Sequence, residues 1–212
     1  MAGKMARTSR ESDATAVVVP CRDLCLDFAN TFAWQDGAAV DSLRGPAELL
    51  RWCKDHGAVD AATLARLDDW WTRNPAESAA TFAEAVVLRG SLYCVFFALA
   101  HRQAPAARDV AALNSALARA PMRHTLTAVD DGFGWRLEAD RRPAASLLAP
   151  VLWSAGDLLV SPEVARIRHC ANAKCLWLFL DDSKNGSRRW CSMQLCGNRA
   201  KAHRHYLRGK TP

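Results

Sequence analysis

The sequence predicts an α+β chain in two parts. A mostly helical N-terminal domain with a small antiparallel sheet is followed by a shorter module built from a β-hairpin and a helix. Three observations predict this. Five stretches between Pro46 and Ser161 carry apolar residues at helical spacing, "MRHTLTAVDDGFGWRLEA" alternates apolar with polar residues, and four of the eight cysteines fall between Cys170 and Cys196. A chain of 212 residues suffices for one sizeable core and a small extra unit.

Residues 1–16 are polar, lack the apolar run of a signal peptide, and read as a disordered tail. Residues 17–162 form the first domain. Its opening "CRDLCLDFANTFAW" is apolar and predicts a strand over Leu24 to Phe28. "GPAELLRWCKDHG" reads as a helix with Pro46 in its first turn and a stop at Gly57. "DAATLARLDDWWTR" is a second helix, capped by Asp60, with Leu64, Leu67 and Trp71 on one face. "AESAATFAEAVVLRGSLYCVFFALAHR" is the longest helix and the expected centre of the core, and "PAARDVAALNSALARA" is another, opened by Pro105. The alternating stretch turns back at Asp131-Gly132, a hairpin signal, and a last helix over "RPAASLLAPVLWSAGDLLVS" is perturbed at Pro150. Ser161-Pro162 marks the boundary with residues 163–212.

The longest apolar run, Leu92 to Ala100, is too short to span a bilayer. This reading places the chain in the cytoplasm, away from membranes, with its cysteines as reduced thiols or metal ligands. Charge divides the chain unevenly. The net +6 arises in the last part, where residues 161–212 hold eleven Lys and Arg against the acids Glu163, Asp181 and Asp182. A neutral body with a basic head suits a polyanionic partner.

Cys170, Cys175, Cys191 and Cys196 form two pairs with the spacing of a tetrahedral Zn²⁺ site. Between them, "LWLFLDD" reads as a strand, Asn185-Gly186 as a hairpin turn and "RRWC" as the returning strand, so that Cys191 comes back beside Cys175. Ser192 then caps a helix ending before Gly209, a treble-clef-like arrangement. Four thiolates leave no open position, so one structural zinc per chain is expected, and so small a module needs it to fold. The alternative is four buried free thiols. Gly197 inside the helix suggests a close backbone approach to the zinc hairpin. Cys21, Cys25, Cys53 and Cys94 read as structural thiols, Cys53 and Cys94 on apolar helical faces.

On the last helix Lys201, Arg204, His205 and Arg208 share one face, while Leu195, Arg199, Ala202 and Tyr206 lie on a side suited to packing. With Arg188, Arg189, Lys174, Lys184 and Lys210 the stripe has the footprint of nucleic-acid binding. Lys201, Arg204 and Arg208 are expected at phosphates, Arg188 and Arg189 in support, and Asn198 or Arg188 at a base edge. A solvated surface is the competing reading, and charge alone does not separate DNA from RNA. In the first domain Asp27, Asn30 and Arg89 are polar within apolar stretches. They either line a small-molecule pocket or pair among themselves.

"RIRHCANAKCLWLFLDDSKNGSRRWCSMQLCGNRAKAHRHYLR" closely resembles the CGNR-type zinc finger, named for the residues standing here as Cys196 to Arg199. "LCLDFANTFAW" with "VVLRGSLY" resembles the N-terminal part of the ABATE domain that precedes such fingers. The resemblance implies a bacterial, stress-related transcription regulator with a zinc-bound, DNA-binding C-terminus. In that reading the first domain senses a ligand or mediates assembly, for example as a homodimer. A small-molecule-binding protein whose basic module meets RNA or a protein is the alternative. The sequence carries no nucleophile motif, phosphate loop or His–carboxylate cluster, so an enzyme is not expected.

Overall fold

The computed structural model describes residues 16–19, 21–35, 38–59, 61–130, 132–137 and 144–208. The tail up to residue 15, the expected cap Asp60, the turn residue Asp131, the helix stop Gly209 and Lys210 lie outside the described residues. Strand β1 (Ala16–Val18) leads to helix α1 (Leu24–Ala29), then to a hairpin of β2 (Phe32–Gln35) and β3 (Ala38–Asp41). Helices α2 (Pro46–Asp55), α3 (Ala61–Arg73), α4 (Pro75–Ala100) and α5 (Ala107–Arg119) follow. Next come β4 (Leu126–Val129), β5 (Gly132–Leu137), α6 (Ala144–Leu147) and α7 (Ala149–Val160). After a 3₁₀ turn (Pro162–Arg166), the chain ends with β6 (Ile167–His169), β7 (Leu178–Leu180), a π-helical turn (Met193–Gly197) and α8 (Asn198–Arg208).

The segment expected as a strand at Leu24–Phe28 is helix α1. Leu24, Cys25, Leu26, Phe28 and Ala29 are all buried, so the run has no polar face whose period could tell helix from strand. It packs between α4 and α7. Helix α4 is the axis of the domain. Ser78, Thr81, Ala85, Leu88, Leu92 and Val95 are buried at spacings of three and four, and α1, α2, α3, α5 and α6 pack around them. By length and composition α4 could cross a membrane. Here one face is buried against five other helices and carries the ion-paired Arg89, as in the core helix expected. Leu64 and Trp71 of α3 are buried and Leu67 packs partly against the core, as their shared face requires. Pro150 stands in the first turn of α7, where its missing N–H costs nothing, and the chain breaks just before it.

The antiparallel sheet has the order β1-β5-β4, with Leu126 opposite Trp135 and Val129 opposite Gly132. Val18, Leu137, Ala149 and Trp153 form a small cluster beneath it. Arg123 closes one side, bidentate to Asp157 at 2.6 and 2.7 Å, with its guanidinium 5.7 Å from the ring centres of both Trp135 and Trp153.

The expected hairpin of the C-terminal module is placed differently. Strand β7 pairs with β6, which precedes the first cysteine, with Ile167 opposite Leu180 and His169 opposite Leu178. No returning strand is assigned over 188–191 among the described residues. Leu178, Phe179 and Leu180 are all buried, and the edge of β7 away from β6 meets the Asn30 side chain at Leu178 in place of a returning strand. Ile167, Leu178 and Leu180 belong to the same core as Phe28, Leu92 and Phe96. The module is therefore built onto the N-terminal core.

Candidate metal centre and its basic surface

The metal centre begins where β6 ends. The Cys170 N–H donates to the Trp177 carbonyl at 2.8 Å, which closes the loop that carries Cys170 and Cys175. The Cys175 N–H donates to Asn172 O at 2.8 Å, and the Ala171 N–H reaches Arg189 O at 2.9 Å, drawing the second cysteine pair alongside. Ser192 accepts the Leu195 N–H at 3.3 Å and starts the π-helical turn that places Cys196 at the head of α8. A Cβ on Gly197 would stand 2.7 Å from Met193 Sδ and 3.3 Å from Trp190 Cδ1, so this glycine lets two side chains cover the backbone. The close approach expected at Gly197 is present, but the neighbours are Met193 and Trp190 rather than a hairpin.

The Sγ atoms of Cys170, Cys175, Cys191 and Cys196 lie within 4.8 Å of one another, with Cys175–Cys191 at 3.6 Å and Cys191–Cys196 at 3.7 Å. A tetrahedron with Zn–S bonds of ~2.3 Å has edges of ~3.8 Å, so the set has the size zinc requires. Without a cation these thiols conflict. Hydrogen bonds from Cys175 and Cys191 favour a thiolate at Cys170, while the same contacts push the Cys175 and Cys191 thiols up. A divalent cation lets all four ionise together. The cluster suits one structural zinc, with no ligand position left for substrate.

Residues 22–162 match the family model of the ABATE domain, described as a putative stress-induced transcription regulator. The chain belongs to the ABATE family. Residues 166–209 match the CGNR zinc finger, which contains all four cysteines. No curated protein matches the chain. Both families are of regulator and zinc-finger type.

Around the zinc set, this ABATE protein divides its basic residues into two groups. Arg188, expected to support nucleic acid, is turned inward. Its Nε donates to Trp190 O at 2.9 Å, its Nη2 donates to Cys191 O, and its guanidinium lies 4.7 Å from the Phe179 ring centre. It buttresses the loop that carries Cys191, and its side chain is half-buried. Arg166 similarly donates to Ser183 O at 2.7 Å, and Arg168 to Ala165 O at 2.8 Å. In contrast Lys174, Lys184, Arg189 and Lys201 are exposed, Arg189 over the Trp190 ring. Arg204 and Arg208 lie on α8 with side chains outside the described residues. Asn198 is exposed at the head of α8, its Nδ2 donating to Gln194 O at 3.1 Å. The side of α8 expected to pack is open instead. Leu195 is 62 % and Tyr206 56 % exposed, and Ala202 and Arg199 are exposed too, because α8 packs chiefly on the turn before it.

The three acids of this region are all engaged. Asp181 is 0 % exposed and accepts from Ser183 N, Ser183 Oγ and Arg188 N at 3.0, 2.5 and 3.0 Å. Burial alone would raise its pKa, but these hydrogen bonds prevail and hold the carboxyl below its usual range. The same bonds fold residues 181–188 into a closed turn, with Gly186 at φ +60. Glu163 and Asp182 both accept from Arg22 of the N-terminal domain. Among the described residues, no ion pair ties Lys174, Lys184, Arg189 or Lys201 to these three acids.

The polar trio of the first domain is placed at three separate points. Arg89, 5 % exposed, is bidentate to Asp41 at 2.6 and 2.8 Å and reaches Thr31 Oγ1 at 3.3 Å. Asn30 bonds the backbone of Leu178 in the finger, and Asp27 lies on the exposed side of α1. Among the described residues the three do not bond one another. A cleft of about 120 Å³ beside β1, β5 and α7 is lined by Val18, Arg123, Trp135 and Trp153 among others, and by none of the three. Cys25 and Cys53 are fully buried, and burial pushes their thiols up to about 12, which makes them inert. Cys21 and Cys94 are exposed, so Cys94 is not on the buried face expected for it.

Arg188→Ala is expected to lower the melting temperature by roughly 5 °C, since charged hydrogen bonds contribute ~1.5–3 kcal/mol and each kcal/mol shifts a chain of this size by ~2–4 °C. Zinc should also leave faster in the presence of a chelator. Thermal melts with a colorimetric zinc-release assay check this.

Proposed function

We propose that this ABATE protein is a transcription regulator that binds DNA through the exposed basic face of its zinc finger. The observation that carries the reading is the division of charge. Structural arginines are consumed by backbone carbonyls and nearby acids by Arg22 or the Asp181 turn, while Lys174, Lys184, Arg189 and Lys201 remain at the surface. Lys201, Arg204 and Arg208 would meet phosphates, with Arg189 beside them. Contacts of that kind position a protein on the duplex without reading sequence, and Asn198 is the residue assigned to a base edge. The zinc fixes the geometry and performs no chemistry. The N-terminal domain would regulate through its direct contacts with the finger rather than through a pocket at Asp27, Asn30 and Arg89.

Replacing Lys201, Arg204 and Arg208 together by Ala should weaken binding to any duplex. The slope of log K against log salt should flatten by ~0.9 for each phosphate no longer neutralised. Folding and zinc content should persist, since exposed substitutions cost within ~0.5 kcal/mol each. A fluorescence-anisotropy salt titration on duplex DNA and on duplex RNA is the test. An unchanged slope on DNA would reduce the stripe to a solvated surface, and a loss confined to RNA would reassign the partner.

A further inference from the structure

One side chain of the N-terminal domain reaches into the metal-binding loop. Asn30, at the end of α1, is 6 % exposed, and its carboxamide spans Leu178: Nδ2 donates to the Leu178 carbonyl at 2.8 Å, and Oδ1 accepts the Leu178 N–H at 2.9 Å. Leu178 stands opposite His169 in the β6–β7 pair, while the next rung is the Cys170 N–H to the Trp177 carbonyl. In an antiparallel ladder, alternate residues turn their amides away from the partner strand. The Leu178 amides therefore point into the core, and Asn30 stands where a third strand would. Leu176, two residues earlier, has a φ of 58°, a left-handed conformation that L residues rarely adopt. Its carbonyl accepts the Tyr93 hydroxyl of α4 at 3.0 Å. The residue directly before it is the ligand Cys175.

From Cys175 to the first residue of β7, the chain is thus held at two points from outside the finger, in addition to the Cys170–Trp177 bond within it. Left alone, a loop with one left-handed leucine and two inward-facing amides would relax toward ordinary backbone conformations and take Cys170 and Cys175 with it. We propose that Asn30 is a positioning residue of the metal centre, with Tyr93 assisting: its paired bonds to Leu178 hold the Cys170–Cys175 loop at the geometry zinc requires. Zinc affinity is then a property of the ABATE core as well as of the finger. This rests on the zinc centre and is independent of DNA contact.

The test is zinc affinity of the full chain, measured by competition with a chromogenic chelator, beside melting temperature. Asn30→Asp keeps the acceptor for the Leu178 N–H but sets a carboxylate oxygen against the Leu178 carbonyl. Tyr93→Phe removes only the bond to Leu176. Leu49→Ala empties a fully buried position on α2, away from the loop, and serves as the control for general destabilisation. Asn30→Asp should weaken zinc by at least ~10-fold, in the range found for groups that orient metal ligands, and Tyr93→Phe by roughly three-fold. Leu49→Ala should melt earlier with affinity within about two-fold of wild type. Unchanged affinity in Asn30→Asp, or a loss no larger than in Leu49→Ala, overturns the proposal. If Asn30→Asp does not fold, Tyr93→Phe decides, and an affinity equal to wild type overturns it. A wild-type chain without zinc refutes the centre itself, whereas failure to bind DNA leaves the proposal standing.

Discussion

Replacing Cys175 with Ser is expected to release zinc and to lower the melting temperature of the whole chain. In a free-standing finger the damage would stop at the module boundary near Ser161. Here Ile167, Leu178 and Leu180 share one core with Phe28, Leu92 and Phe96, and Arg22 ties α1's approach to Glu163 and Asp182. Zinc binds the native loop and not the unfolded chain, so its binding energy adds to the stability of everything packed on that loop. A loss of ~4 kcal/mol, modest against the ~10–16 kcal/mol of structural zinc sites, corresponds to a shift of about 10 °C. Buried Trp52 and Trp71 report the N-terminal core. Their fluorescence should shift at the same lowered temperature as the far-UV signal, and metal analysis should find well under one zinc per chain.

Asp41→Asn is expected to be strongly destabilising, although it changes no apolar packing. Arg89 is buried on the central helix, and Asp41 is its carboxylate partner, at 2.6 and 2.8 Å. Removing the charge on Asp41 leaves a buried guanidinium with no carboxylate, one amide oxygen in place of two acceptors, and the Thr31 hydroxyl and Phe32 ring beside it. Breaking such pairs costs ~3–5 kcal/mol when both members are buried; Asp41 is about a third exposed, so the lower end applies. The effect has a pH signature. Partial burial opposes ionisation of Asp41, but the Arg89 guanidinium and the Leu43 N–H outweigh it and hold the carboxyl below its usual value. A depressed folded pKa contributes stability that is present above the unfolded value of ~3.9 and is lost as pH falls through the folded one. The gap in urea stability between wild type and Asp41→Asn should be full at neutral pH and narrow below about pH 4.

The sequence reveals helices where one face is apolar and the other polar, as in α2, α3 and α5. It does not reveal α1, whose residues are buried on nearly every side, nor the pairing of β7, which is buried throughout and so lacks alternation. The zinc ligands are legible because cysteine spacing is a short-range constraint. The roles of the arginines are not: Arg188 and Arg189 are neighbours, yet one holds carbonyls beside the metal and the other faces solvent. What separates them is the Asp181 turn, and "LDDS" after a strand is the signal that could suggest it. Asn30 stands out in the sequence as a polar residue in apolar surroundings, which is the right symptom. Its partner, Leu178, is far along the chain and is a backbone group, which side-chain chemistry in the sequence does not announce.

The zinc finger and the ABATE core are expected to fold as one unit. Differential scanning calorimetry of the full chain, zinc-loaded and with excess chelator, tests it most directly. One transition with equal calorimetric and van't Hoff enthalpies, moving as a whole to lower temperature when zinc is removed, is the predicted result. Two transitions, with the chelator shifting or abolishing only the smaller one, would contradict it.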